Sequence, residues 1–513
     1  MKRLIVGTLL AFIGCLLAPN APIFAQGDDE SNELSIEGSP TIQYIQVDGD
    51  DDKFREDWWI QDGVTGGVEQ FKLHYKLGKD LSIDAEGRAI LLEDDYRFDF
   101  RLDKQNFGYL HAGYSEYRKY YDDTGGFFEP FAIPYFDLDK DMHLDIGNVY
   151  VEAGLTLPEW PTLILGYEHS FKDGEKSLLE WGSVTQSGIS RKIFPAFKEI
   201  DERLDIIRAE INHEIGKVQL GDEFRYEHYS LDNTRFEQEL DRDDGTTESV
   251  TVGEKYSHDA FFNTFHVDSH VNEKIYLSMG YLFNKLGGDA SFRMTTTPFG
   301  PEPFDKDWFS RSIDVSQDAH VGNVNAMLGP FKSLTFYGGV EGEKLDKSGD
   351  TDAVLLETLP GVGVVSPDAL IVKDEDKWGV EENFGARYTA IPKTTVYAEG
   401  KWTQQDIDLV ERELEDGELA IDRDTATWVT RQRYSVGFNT SPLSRTTFSA
   451  RYRRQYRSND YDQLVDNTPG EYPAFITDQD LTTDELMAKV SYRPINRVQT
   501  SFQYQLVATD IDT

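Results

Sequence analysis

Apolar and polar side chains alternate with a period of two along most of this chain, and this pattern restricts the fold more than any other feature. Residues 71–77 place Phe, Leu, Tyr and Leu on one face and Lys, His and Lys on the other. Residues 81–91 and 96–102 repeat the pattern, which returns as far as 498–506. Strict alternation is typical of strands with one apolar and one polar face. The sequence therefore predicts an all-β protein.

Two kinds of connection alternate between the predicted strands. Short turns rich in Gly, Pro, Asn and Lys occur at sites such as 78–80, 216–217 and 329–330. Each is followed, one strand later, by a long polar segment. We predict long loops at 118–141, 172–203, 229–258, 284–315, 343–377, 403–428 and 457–483. Outer-membrane barrels have this asymmetry, with the short turns on the periplasmic side.

The predicted fold is a large antiparallel transmembrane β-barrel of about 18–20 or more strands, with short periplasmic turns and long acidic extracellular loops. A soluble β-sandwich, β-helix or propeller would also show alternating apolar and polar residues. The number of hairpins, the lack of a blade-length repeat and the regular loop asymmetry favour the barrel. Tyr226, Trp402 and Tyr452 fall where strands meet loops, which suits an interfacial aromatic girdle.

The N-terminus has the composition of an export signal. Residues 1–25 combine a basic start, a long apolar run and small residues before a cleavage point. A lipoprotein signal ending at Cys15 is the alternative, although the apolar run continues beyond it. We predict a signal peptide at 1–25, a short N-terminal periplasmic segment at 26–39 and a single outer-membrane β-barrel at 40–513. Because Cys15 is the only cysteine, the mature chain would have no disulfide and no attached haem.

The predicted strand number is odd. We count about 18 strands from residue 68 onward, and residues 40–47 add a first one. Bacterial single-chain barrels have even strand numbers and return to the periplasm. The count therefore predicts a chain that is truncated at its C-terminus and lacks a closing strand, with a miscounted strand as the alternative.

The charge balance excludes one class of partner. The chain has 93 acidic and 51 basic side chains, a formal net charge of −42. Nucleic-acid binding needs clustered Lys and Arg, so we predict none. Residues 403–428 alone hold nine acids. Such loops could bridge lipopolysaccharide through divalent cations, attract cations to a pore or dock a basic partner, or they could simply be solvated.

Apolar residues interrupt one of these polar segments. They lie within 343–377, at 354–356, 362–365 and 370–372. A predicted loop with this composition could fold into the lumen as a plug or contact a partner outside.

The sequence offers weak metal candidates. His266, Asp268 and His270 share one strand face, and imidazole plus carboxylate can bind a transition metal. Neighbours on one strand face without a third or fourth ligand are a poor indication of a metal site. The alternative is that these three residues are hydrated side chains of the lumen, or that they contact a plug or a partner.

Two Asp triplets have the spacing that opens an EF-hand. They are Asp48, Asp50 and Asp52, and Asp137, Asp139 and Asp141. Neither has the Gly or the Glu that completes the motif. Loosely bound calcium at the acidic loops remains an expectation, and solvated acid is its alternative.

Catalytic signatures are lacking. The sequence has no GxSxG, HExxH, phosphate-binding P-loop or dinucleotide-binding glycine motif. We therefore predict a protein that is not an enzyme, with no catalytic or cofactor-binding residues of its own. An outer-membrane hydrolase ranks third among the functional alternatives.

One stretch has a family likeness. Val47-Asp-Gly-Asp50, Lys53-Phe-Arg-Glu56, Asp62-Gly-Val64 and Phe71-Lys-Leu73 follow one another. This order resembles the opening of the MtrB/PioB family of decahaem-cytochrome-associated outer-membrane β-barrels. The later stretch 200–233 is similar to the middle of that family.

The resemblance implies a barrel that performs no chemistry itself. It would be a porin-like sheath in the bacterial outer membrane, embedded among lipid and lipopolysaccharide. Its haem would belong to a periplasmic or lumenal multihaem c-type cytochrome, and an outer-surface cytochrome would receive the electrons. A general diffusion porin or substrate-specific channel is the alternative.

Overall fold

The structure is a computed structural model that describes most of the chain. The described residues are 32–49, 51–123, 140–186, 189–240, 247–297, 306–359, 363–365, 368–466, 476–495 and 498–513. The predicted signal peptide at 1–25 lies outside them. Within them, no helix is long and apolar enough to cross a membrane.

One helix and a series of strands make up the described chain. The helix α1 spans Asp51–Trp58. The strands are β1 (Asn32–Ile45), β2 (Gly63–Leu77), β3 (Leu81–Ile90), β4 (Asp95–Lys104), β5 (Gly108–Tyr121), β6 (Met142–Leu155), β7 (Thr162–Gln186), β8 (Ile189–Ile215), β9 (Val218–Leu240), β10 (Thr247–Asn272), β11 (Ile275–Thr297), β12 (Lys306–Phe331), β13 (Leu334–Leu359), β14 (Gly363–Val365), β15 (Asp368–Tyr388), β16 (Thr394–Glu415), β17 (Glu418–Thr440), β18 (Thr446–Asp466), β19 (Asp478–Ile495) and β20 (Val498–Asp512).

The strands form one up-and-down antiparallel sheet. Each long strand pairs with the next along the chain, and the three-residue β14 adds only to the end of β13, which also pairs with β15. Among the described residues this gives 19 long strands, with β1 and β20 at the two edges. The predicted class, a large antiparallel transmembrane β-barrel, is confirmed. β1 begins at Asn32, earlier than the predicted start at residue 40.

The short turns predicted from the sequence, such as 78–80, 216–217 and 329–330, lie together at one end of the sheet, which we call the turn end. Gly78 and Gly216 adopt φ of 65° and 64° there, in the left-handed region that glycine enters without strain. The opposite end is called the rim.

The polar face of the sheet is concave. The Tyr150 hydroxyl on β6 donates to Asp99 on β4, across the strand between them. Adjacent strands lie about 4.8 Å apart, so side chains two strands apart meet only where the sheet curves toward them. Three more bonds cross an intervening strand in the same way: Arg208 to Glu152, Lys198 to Glu254 and Tyr337 to Glu399. This polar side is therefore the lumen face.

The opposite, convex face is apolar and largely uncovered. Leu165 is 64% exposed, Phe384 is 53% exposed and Val436 is 49% exposed, although all three lie in paired strands. A soluble sandwich or propeller would bury this stripe in a core. A continuous exposed apolar surface instead requires an apolar solvent, which a membrane provides. We call this side the lipid face.

Most segments predicted as long loops are paired strand. The β7–β8 hairpin, for example, carries 25- and 27-residue strands joined by only two residues, 187–188. The predictions for 172–203, 229–258, 284–315, 343–377 and 403–428 were wrong in this respect, and 457–483 is largely strand as well. Most of the predicted loop at 118–141 lies outside the described residues. Beyond the membrane, water reaches both faces of the sheet. The alternation of apolar and polar residues therefore ends there, although the backbone hydrogen bonds between strands continue.

The plug prediction also fails. The apolar residues within 343–377 that are described lie in the β13–β15 hairpin, where Val354 is opposite Asp368 and Leu370 is opposite Asp352. Backbone pairing holds them in the wall. They therefore do not form a separate segment that could enter the lumen.

Candidate functional site

A cluster on the lipid face marks where the apolar band ends. The Tyr167 hydroxyl donates to Asp205 over 2.7 Å, and His169 Nδ1 lies 2.8 Å from the same carboxylate oxygen. His169 and Asp205 are direct partners on β7 and β8. Closer to the turn end, the lipid face of these strands carries apolar residues such as Leu165 and Ile207.

The same cluster recurs on the next two strands. The Tyr226 hydroxyl donates to Asp259 over 2.5 Å, and His228 Nδ1 lies 2.9 Å from that carboxylate. His228 is opposite Asp205 on one side and opposite Asp259 on the other. A His–Asp–His–Asp row thus crosses β7 to β10 at one level. The repeated Tyr-Glu-His at 167–169 and 226–228 could have revealed it from the sequence.

The level of this row matches a membrane boundary. Asp205 and the last residue of β8, Ile215, are ten residues apart, about 33 Å along a strand. At the usual strand tilt this is about 25 Å, the height of the apolar band in outer-membrane barrels. Other polar and aromatic pairs continue the belt around the sheet: Tyr281 with His320, Trp402 with Tyr434 and Tyr452 with Asp484.

The lumen face carries its own hydrogen-bonded groups. His74 on β2 lies 2.6 Å from Asp84 on β3. Asp99 is bonded by Tyr150 and lies 2.9 Å from His111 Nε2, so three strands share one carboxylate. These groups line concave surfaces together with charged neighbours. The wall is therefore polar and wettable.

The helix α1 is anchored at the rim by the residues that follow it. The Trp59 ring stacks on Tyr117 of β5, with ring centroids 6.0 Å apart. The Gln61 side chain donates to Tyr120 and to the Leu92 carbonyl, and the Gln61 amide donates to Glu93 over 3.2 Å. Burial raises the pKa of the Glu93 carboxyl above its ordinary value. Sequence analysis missed this helix, because its eight residues carry no amphipathic period long enough to recognise.

The weak metal candidates lie on the lumen face but do not converge. The Tyr276 hydroxyl donates to Asp268 over 2.7 Å, and the His270 ring packs on Tyr276. Alternate residues of a strand are about 6.7 Å apart, so His266 and His270 stand far from each other. In the part of the chain that the structure describes, no group of three such residues is placed to hold a metal ion.

The calcium candidates fall partly outside the described residues, which include neither Asp50 nor Asp137 nor Asp139. Arg55 donates to Asp141 over 2.8 Å and also pairs with Asp52. Two of the six carboxylates are thus already in ion pairs.

The acids of 403–428 lie on the two strands of the β16–β17 hairpin, and two of them are opposite arginines. Arg412 lies 3.2 Å from Asp422, and Arg423 lies 3.1 Å from Glu411. Part of this acid therefore belongs to cross-strand ion pairs of the wall.

Comparison with known proteins yields fold-level similarity only. No family model and no curated protein matches the sequence. Several solved structures match the chain, among them three that match over most of its length. The ferric-catecholate import receptor Fiu from E. coli K12 is 9% identical, with 87% of this chain and 83% of that chain covered and a TM-score of 0.36.

The other two are also uptake proteins. The ferric citrate transporter FecA is 8% identical, with 84% and 76% covered and a TM-score of 0.33. The ferric yersiniabactin uptake receptor FyuA from Yersinia pestis is 9% identical, with 82% and 78% covered and a TM-score of 0.35. At these values the similarities carry no argument about what this chain binds.

Proposed function

We propose that this protein is an outer-membrane β-barrel scaffold, a porin-like sheath that holds a multihaem c-type cytochrome for extracellular electron transfer. The height of the wall formed by β7–β13 and β15–β18 carries the proposal. The 27 residues of β8 extend about 90 Å, or roughly 70 Å in height at the usual tilt. The hydrocarbon core is only about 30 Å thick. A diffusion pore needs to cross only that core, whereas a sheath must also enclose cofactors that emerge beyond it.

The width of the lumen and the short rim connections support an occupant. Barrels of 16–18 strands already leave an aqueous channel, and the described residues of this sheet form 19 long strands. The segments joining β7 to β8, β9 to β10 and β16 to β17 hold two, six and two residues. Connections of two to six residues are too short to fill a lumen of that width, although β5 and β6 are joined by 20 residues and β18 and β19 by 11. The resemblance of residues 47–73 to the MtrB/PioB family names the class of occupant.

In this scheme the chain supplies insulation and position, and the haem belongs to the partner. Hydrocarbon blocks electrons and ions, so the apolar lipid face isolates the occupant from lipid while the polar lumen face solvates it. The rim would meet an outer-surface cytochrome. The belt of Tyr, His and Asp side chains would face lipopolysaccharide head groups.

The test is isolation of the tagged barrel from native membranes at its natural expression level. The proposal predicts a haem-staining polypeptide that co-purifies in a fixed ratio with the barrel. A second tagged barrel from the same membranes is the control for adventitious haem proteins. Recovery of the folded barrel with no haem protein would overturn the proposal.

A diffusion porin or substrate channel is the second candidate, and the hydrogen-bonded polar lumen wall favours it. The two differ in the state of the barrel as isolated. A sheath purified with its occupant is blocked, so planar bilayers should show no steady conductance. A porin isolated in the same way conducts at once.

A further inference from the structure

A column of cationic side chains runs along the lumen wall of this strongly acidic chain. It consists of Arg431 and Arg433 on β17, Arg451, Arg453 and Arg457 on β18, and Lys489 on β19. All six alternate with lipid-face residues such as Tyr434 and Tyr452, so they face the lumen. We call this set the basic stripe.

Strand register stacks these residues at successive levels. Arg451 is opposite Gly437, Arg453 is opposite Ser435 and Arg431 is opposite Arg457. Lys489 lies one level closer to the turn end, opposite Ser449. The five levels are about 6.7 Å apart and span about 27 Å, from beside the apolar band at Lys489 to the rim side of the Tyr434–Tyr452 belt at Arg431 and Arg457.

Acidic partners are scarce along this column. Glu485 lies 2.8 Å from Arg451 and 3.0 Å from Arg453. Arg457 donates to the neutral Asn459. In the part of the chain that the structure describes, Arg431, Arg433 and Lys489 have no ion pair or hydrogen bond from their side chains. Within the described residues, Glu485 is thus the one carboxylate that forms ion pairs with these six cations.

This clustering of cations is unfavourable when no ligand occupies the lumen. Arg431 and Arg457 are direct cross-strand partners, and like charges directly opposite each other destabilise a sheet. The Nε atoms of Arg451 and Arg453 are buried without a hydrogen-bond partner. An anion in the lumen would offset the repulsion, since guanidinium groups bind carboxylates through paired hydrogen bonds.

We propose that the basic stripe is a binding site for carboxylate groups, either on an acidic polypeptide lying along the wall or on a free anion in the lumen. The proposal does not require the occupant to be a cytochrome. A charge column of this length suits an extended ligand better than a single ion, because each level offers a further cation.

The test measures binding of fluorescein-labelled octaglutamate to the purified full-length barrel in detergent, with citrate as competitor. The main variant is Arg431→Gln with Arg433→Gln, because these two side chains hold no described partner in place. Arg454→Gln is the matched control: it lies on the same strand β18, faces lipid and pairs with Asp484. Heat-modifiable migration checks that each barrel is folded.

The proposal predicts that the double variant binds the peptide at least about tenfold more weakly than the wild type. Arg454→Gln should change the affinity little. Arg431→Lys with Arg433→Lys should recover part of the lost affinity. Citrate that displaces the peptide at equal carboxylate concentration identifies a site for free anions. Citrate that fails to do so identifies protein-borne carboxylates. If neither probe binds the wild-type barrel, or both bind the double variant as tightly, the proposal is wrong.

Discussion

Asp205 on β8 lies directly opposite His228 on β9, on the face of the sheet that carries the exposed apolar side chains. Asp205 also accepts the Tyr167 hydroxyl and contacts His169, both on β7, so residues of three strands meet at the edge of the apolar band. Tyrosine and histidine suit this depth because their rings bury while their polar atoms stay wet. The row therefore locates the membrane on the molecule.

Replacing this shared carboxylate should loosen the belt. We expect Asp205→Asn to lower the free energy of unfolding by about 1 kcal/mol, since a charge-assisted bond from Tyr167 and the contact with His169 become neutral. Asp201→Asn is the control, because the described ion pair of Asp201 is with Arg203 on the same strand and does not join two strands. Urea unfolding of vesicle-embedded barrels compares the two variants. Equal effects would contradict the special role of the belt.

The two faces of one strand should respond oppositely to a new charge. Leu165 faces lipid and its neighbour Ile164 faces the lumen. Leu165→Arg should cost about 2–4 kcal/mol of barrel stability, the usual cost of a lipid-facing cation deep in the band. Ile164→Arg should cost far less, because its charge can be hydrated. Unfolding in lipid vesicles measures both, and a larger loss for Ile164→Arg would reverse the assignment of the faces.

The rim helix should depend on one aromatic contact. Trp59→Ala removes the ring that stacks on Tyr117, a contact of about 1 kcal/mol. We expect faster hydrogen exchange in residues 51–61 with no change in the strands. Trp58→Ala is the matched control, because among the described residues Trp58 stacks on Phe54 of the same helix and on no strand residue. Exchange that rises equally in both variants would show that α1 is not held by β5.

The anchoring of this segment should weaken as pH rises. Burial, aided by Asp94 and Asp95, raises the pKa of Glu93 above its ordinary 4.5. An acid with a higher pKa in the docked state binds its proton more tightly there, so docking is strongest below pH 4.5 and declines as pH rises through the raised pKa. Trp59 fluorescence should follow this decline in the wild type. Glu93→Gln should abolish it, and an unchanged pH profile in that variant would exclude Glu93 as the cause.

Much of the fold can be read from the sequence wherever the two faces of a strand differ. The turns at 78–80 and 216–217 follow from glycine and from apolar alternation on both sides. Beyond the belt, Asp173 lies opposite Asp201 in a paired ladder. Side chains there are wet on both faces, so no periodicity distinguishes strand from loop.

The site was harder to predict for a different reason. The Asp205–His228 contact and the basic stripe depend on strand register, which a single sequence specifies only loosely far from the turns. The alternation placed His266 and Asp268 on one face but could not show that Tyr276 holds the carboxylate. Contacts between strands thus needed the structure, whereas the faces of each strand did not.

Electron transfer across a vesicle wall tests the central claim most directly. The barrel, isolated with whatever occupies it, is placed in liposomes that contain a reduced viologen dye, and a ferric complex is added outside. If the barrel is a sheath, the dye should be oxidised rapidly when the haem-containing complex is present. The barrel that has been stripped of its occupant and sealed by an inert lumen ligand should give no oxidation. Equal oxidation in the sealed, haem-free barrel, or no oxidation with the intact complex, would contradict the account.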